Sequence, residues 1–181
     1  MKNKKGFTLI ELLVVIAVIG LLSSIILASL NSARAKSADG AIKSNLNTIR
    51  TQAGLFFDSQ QNYGSSVSPA TSCYNRPADS MFEDDDSGTV NIDTIIESAI
   101  DVAIGFSNPS FSSAQKARCV ALDTTGDSQA DSWALAVMLR TSTGVTGSGS
   151  KFWCIDSTGA AKQINNIVSL TNLFSAAGVC I

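Results

Sequence analysis

Hydrophobic and polar positions divide the 181-residue chain into three regimes. From Leu12 to Leu30 no residue is charged, and nearly all are Leu, Ile, Val or Ala. As a helix these 19 residues reach ~28 Å, close to the ~30 Å hydrocarbon core of a bilayer. From Ala35 the run gives way to a stripe. Ala35, Ala38, Ile42, Leu46, Ile49, Ala53 and Phe56 recur at spacings of three and four, with Arg34, Lys36, Lys43, Asn47 and Arg50 opposite them, which is one face of a continuing helix. No proline precedes Pro69. Gly20, Gly40 and Gly54 interrupt the pattern, each at about 1 kcal/mol relative to alanine. The pattern predicts one helix over 7–58, ~78 Å long. Its stripe needs a cover, and a sheet from the same chain is the natural one.

The third regime is mixed. Asn62-Tyr63-Gly64-Ser65-Ser66 has turn chemistry, and from there to about Val90 the composition predicts a loop pinned at Cys73. Glu83-Asp84-Asp85-Asp86 is read as a solvated acidic turn within it. Ile92, Ile95, Ile96, Ala99, Ile100, Ala103 and Ile104 predict a second amphipathic helix over about 91–104, with Gly105 at its end. Asp93, Glu97 and Asp101 make its solvated face. Strands are expected at Ala117–Leu122, Trp133–Arg140 and Lys151–Ile155, joined by a flexible Thr143–Gly149 connector and followed by a turn at Asp156–Gly159. Leu170–Ala177 reads as a short helix. The whole is α+β, a long N-terminal helix packed against a small antiparallel sheet.

Composition narrows the chemistry. There is no histidine, which removes Ser-His-Asp and Cys-His catalysis and histidine-ligated zinc. No Gly-x-Ser-x-Gly or phosphate-binding glycine loop occurs, so no enzyme hypothesis stands. The cysteines Cys73, Cys119, Cys154 and Cys180 form no CxxC pair. An even count outside a membrane suits two disulfides in an oxidising compartment. Of the three connectivities, Cys154 with Cys180, leaving Cys73 with Cys119, is preferred, and four buried thiols are the alternative.

The N-terminal run contains one carboxylate, Glu11. At a helix centre in lipid such a charge costs ~2.5–3.5 kcal/mol, somewhat less near the end, and is rarely kept without a partner. Lys2, Lys4 and Lys5 precede it, followed by Gly6-Phe7-Thr8-Leu9-Ile10-Glu11. This stretch resembles the processing site of type IV pilins and of the pseudopilins of type II secretion systems, closely over Lys4 to Leu22. The resemblance implies a leader, residues 1–6, cut after Gly6 by a prepilin peptidase that also N-methylates Phe7. It implies that Glu11 serves filament assembly. Pairing Glu11 with the new Phe7 amine of a neighbouring subunit neutralises both charges in hydrocarbon, and pairing within one subunit is the competing idea.

The expected organisation is then a membrane and assembly half of the helix at 7–30, its globular half at 31–60, and an extracytoplasmic head at 61–181. The lysines place the N-terminus on the cytoplasmic side. The expected partners are other copies of the chain, the processing enzyme, the inner-membrane assembly platform and lipid. Without the leader, 10 basic side chains face 15 acidic ones, a balance of -5, which argues against nucleic acid as a bulk-surface partner. A cleaved signal peptide is disfavoured because its apolar core spans only ~7–15 residues.

No cofactor is expected, with one candidate exception. Asp123, Thr125, Asp127, Gln129 and Asp131 place oxygens at alternate positions, as in the first nine positions of an EF-hand calcium loop. Ser128 stands at its sixth position in place of glycine, and Ala134 at its twelfth in place of glutamate. The resemblance adds weight, since some pseudopilins hold calcium in a loop of the C-terminal sheet, and an Asp-rich hairpin loop is the plain reading. The alternative functions are a membrane-tethered, calcium-dependent binding module and a minor pilin with an adhesive or DNA-uptake role.

Overall fold

The computed structural model describes residues 6–73, 81–82, 92, 95–96, 99, 101 and 116–181, with the backbone alone for 28 and 67–72. Two compact units divide the chain, Met1–Lys36 and Ser37–Ile181. The helix α1, Leu9–Gln60, contributes to both. It ends where Gln61 enters the left-handed region at φ 60° and its N–H still reaches the Phe57 carbonyl, a common way to stop a helix. Asn62 Oδ1 then accepts from the Gly64 N–H at 2.7 Å, which turns the chain back.

Five strands follow: β1 Val67–Ser72, β2 Ala117–Leu122, β3 Ser132–Met138, β4 Lys151–Asp156 and β5 Ala161–Asn165. They form one antiparallel sheet in chain order. This matches the expected α+β layout. The expected loop after Ser66 is corrected at β1, and β5 lies in a stretch with no expected strand. Pro69 in β1 is compatible with a strand because β1 is an edge, and the register shifts between Val67 and Thr71. The expected strand at Trp133–Arg140 ends at Met138. The short helix expected over Leu170–Ala177 is only a 3₁₀ turn, Leu170–Leu173, capped by Ser169. Phe174 instead pairs with Cys180 in a bridge. Of the second helix, Ile92, Ile95, Ile96, Ala99 and Asp101 are helical. The acidic turn Glu83–Asp86, Asp93 and Glu97 lie outside the described residues.

Strand alternation sends side chains to opposite faces, and here both faces are covered. On one, Ile42, Leu46, Ile49 and Ala53 of α1 pack with Ala117, Cys119, Ala121, Trp133, Leu135, Val137 and Ile155. Phe82, Ile92, Ile96 and Ala99 join this core, and Trp133 meets the rings of Tyr63 and Phe82 edge-on. On the other, Val120, Ala134, Ala136, Met138, Phe152 and Cys154 pack under Val145, Ile167, Leu173, Phe174 and Cys180. β3 is therefore buried at every position from Trp133 to Met138, which is why it reads as a continuous apolar run rather than an alternation.

Both disulfides form, Cys73–Cys119 and Cys154–Cys180. The second ties the C-terminal segment onto β4. Asp156 supports the same closure: it accepts from the Thr158 hydroxyl and the Thr158 and Ala160 amides, and its other oxygen accepts from Cys180 N–H at 2.9 Å.

Candidate functional site

The N-terminal site is built around the start of α1. Gly6, Phe7 and Thr8 precede the first helical residue and are exposed. The Gly6–Phe7 bond is therefore outside the helical hydrogen-bond ladder and open to solvent. Thr8 is the N-cap. Its N–H donates to Glu11 Oε2 at 2.8 Å, its hydroxyl donates to the same oxygen at 2.5 Å, and the Glu11 N–H points at Thr8 Oγ1 at 3.3 Å. This is a capping box, in which two side chains satisfy amide donors that the first helical turn leaves over.

Thr8 is the residue that the reading of the sequence passed over. Its signal was present in Thr8-Leu9-Ile10-Glu11, the pattern of a hydroxyl followed three residues later by glutamate. The structure thus gives Glu11 a partner inside its own chain. Acidic character in the first turn also complements the helix dipole.

Beyond the cap, α1 has no cover in its apolar part. Every large apolar side chain described between Leu9 and Leu30 is at least 40% exposed, and Leu9 reaches 80%. The window that would cross a membrane has none of its residues buried. A stretch this apolar and this bare is stable only in lipid or against other chains. Further along, the flank opposite the stripe is partly engaged rather than wholly solvated. The Lys43 ammonium lies 4.4 Å from the centre of the Trp153 ring, and the Arg50 guanidinium donates to the Ala160 carbonyl. Asp39, beside the stripe, is buried and accepts from the Arg140 and Thr141 amides and the Thr141 hydroxyl.

The five candidate calcium ligands form the β2–β3 loop. Asp123 sits inside it and accepts from the amides of Thr125, Gly126 and Ser128. The Gly126 amide most of all, and those of Ser128 and Thr125, hold its carboxyl below the usual aspartate range against a smaller opposing effect of burial. Asp127 turns to the Gln129 amide, and Asp131 holds the Thr124 amide and hydroxyl. Each carboxylate is directed to separate donors of its own loop, and among the described residues no three carboxylate, cysteine or histidine groups gather as a metal site.

Residues 1–27 match the family model described as the prokaryotic N-terminal methylation motif. Over 47 residues the chain is 47% identical to the type IV wide pilus major component PilA4 of Thermus thermophilus, covering 26% of this chain and 36% of that protein. Over 61 residues it is 37% identical to the type IV major pilin protein PilA of Myxococcus xanthus, covering 34% of this chain and 28% of that protein. The chain thus spans about a third of the length of the curated relatives it matches. No solved structure matches it.

Proposed function

We propose that this chain, which carries the N-terminal segment of a type IV pilin, is a structural subunit of a type IV pilus. A prepilin peptidase cuts it after Gly6 and methylates Phe7. The apolar half of α1 holds it in the cytoplasmic membrane, with the N-terminus on the cytoplasmic side and the head outside, until an inner-membrane platform inserts it into a filament. The observation that carries this reading is the methylation motif set on a helix whose large apolar side chains described between Leu9 and Leu30 are all exposed. The names of both relatives favour a pilus over a secretion pseudopilus. Glu11 is the assembly residue in this reading, and its capping bond to Thr8 holds it until a neighbour's Phe7 amine replaces that partner.

Two measurements test the proposal. The intact mass of protein purified from a host with the peptidase should correspond to a chain beginning at methylated Phe7. A chain still beginning at Met1 sinks the reading. For Glu11 the informative variant is Glu11→Gln, because glutamine keeps the capping box and removes only the charge. It should stay in the membrane, be processed and fail to assemble. Filaments from Glu11→Gln at the normal yield would refute the charge-pairing role.

A further inference from the structure

Among the described residues of the unit Ser37–Ile181, charge is sorted by place. At the β4–β5 rim, Lys43 over Trp153, Arg50 on the Ala160 carbonyl and Lys151 at the start of β4 stand on the α1 side of the sheet, and Lys162 of the exposed edge strand β5, opposite Cys154, stands on the other side. None of these four cations pairs with a carboxylate among the described residues. Between residues 132 and 181 the sole acidic side chain is Asp156, which is buried and engaged by amides. The β2–β3 loop is the reverse. Asp123, Asp127 and Asp131 fall within nine residues that contain no lysine or arginine, and they accept from backbone amides and hydroxyls of the same loop.

Lys43 and the acidic loop lie well apart in one head. The acidic loop is fixed at the C-terminal end of α1, where Tyr63 N–H bonds Ala130 and Ser65 pairs with Gln129. Lys43 lies about 25 Å back along the helix from Gln60 at 1.5 Å per residue. Complementary patches at different places on one molecule make a heterologous contact, which propagates into an open array instead of closing as a dimer. The loop's internal amide bonds also order it before any contact, which lowers the cost of docking.

We propose that the basic β4–β5 rim receives the acidic β2–β3 loop of a second copy, joining successive heads by charge. The inference rests on the filament reading above and adds to it the surface through which heads recognise each other. Exposed ion pairs are individually weak and screened by salt, so the contact gains its effect by repetition along the filament and weakens as ionic strength rises.

The test uses filaments of the full chain. A carbodiimide, which joins a carboxylate to an amine without a spacer, should give a dimer band. Its peptides should link Asp123, Asp127 or Asp131 to Lys43, Lys151 or Lys162. The pair Lys151→Glu and Lys162→Glu should reduce filament yield at low salt about tenfold, the scale set by reversing a few exposed pairs. Adding Asp127→Lys should recover part of that loss, which a folding defect would not allow. Normal yield from the lysine variants, or dimer peptides that never include these pairs, overturns the proposal. If the unaltered chain forms no filament at all, the pilus reading itself fails, before any substitution is made.

Discussion

Asp39 is the residue whose removal should cost the head most for its size. It lies on α1 next to the apolar stripe, is 8% exposed, and its carboxylate accepts three bonds from the segment after β3. The Arg140 amide is 2.5 Å and the Thr141 amide 3.2 Å from Oδ1, and the Thr141 hydroxyl is 2.6 Å from Oδ2. Bonds to a charged acceptor contribute ~1.5–3 kcal/mol each, but amides in a half-buried loop recover part of this from water. Asp39→Ala should therefore lower stability by about 3 kcal/mol, and the isosteric Asp39→Asn, which keeps an acceptor and loses the charge, by about 1 kcal/mol. For a chain of this size the alanine variant should melt ~6–12 °C lower. Urea unfolding of the detergent-solubilised chain, followed by fluorescence of the buried Trp133, measures the difference. Asn47→Ala on the exposed side of the same helix is the control and should stay within ~0.5 kcal/mol. An Asp39→Ala curve superimposable on the wild type, or asparagine as damaging as alanine, would refute the argument that the carboxylate ties helix to sheet.

The remaining expectations concern the two cores and the C-terminal closure. Leu46→Ala, in the core between α1 and the sheet, should cost ~2–5 kcal/mol in the same unfolding assay. Leu55→Ala, 59% exposed, should leave the midpoint unchanged. Replacing Cys154 and Cys180 together by serine opens a closure of 26 residues and should cost about 3 kcal/mol, with exchange of the Cys180 and Ile181 amides accelerating first. Asp156 gives a pH dependence. Burial pushes its carboxyl up, but the Thr158 hydroxyl and the Cys180, Ala160 and Thr158 amides outweigh that and hold it below the usual range. A depressed folded value means that the stabilisation is complete above the ordinary aspartate value, about pH 4, and is lost as pH falls through the folded value. Hydrogen exchange at Cys180 should rise in that acid window for the wild type, and Asp156→Asn should show fast exchange at all pH values.

What the sequence showed and what it hid follow from how far each feature reaches. The stripe Ile42, Leu46, Ile49 and Ala53 was legible because a helix repeats its face locally, and those four residues are buried as the spacing requires. Ala117–Leu122 and Lys151–Asp156 were legible as short β-rich runs between turns. β5 was not, because Ala-Lys-Gln-Ile-Asn is exposed at four of five positions and polar at three. Only its pairing with β4 makes it a strand. β1, with Pro69 and a register shift, failed the local test for the same reason. The second core was hidden because the residues over the outer face, Ile167, Leu173 and Phe174, come from irregular backbone with no period to read. Asp39 was hidden in another way. A single aspartate on a helix flank looks solvated until a loop a hundred residues later folds onto it.

The same contrast governs the start of the helix. A carboxylate in an apolar run invites the question of what neutralises it, and the sequence reading offered the Phe7 amine, of a neighbouring subunit or of the same one. The structure supplies an intramolecular partner first, through the reciprocal bonds of Thr8 and Glu11. The two do not compete on equal terms. The capping box offers the carboxylate one amide and one hydroxyl but no positive charge, and all the Thr8 bonds fall on Oε2. Among the described residues Oε1 accepts none, so the group keeps acceptor capacity to spare. On the proposed reading a methylated amine of another subunit would add the charge that the cap lacks, and in hydrocarbon that charge is the larger quantity. Thr8 thus makes Glu11 tolerable in the single subunit and holds it at the rim of α1, without satisfying it. In the proposed filament a partner's amine would improve on the cap, so Glu11 would favour assembly while the capping box serves the helix of the single chain.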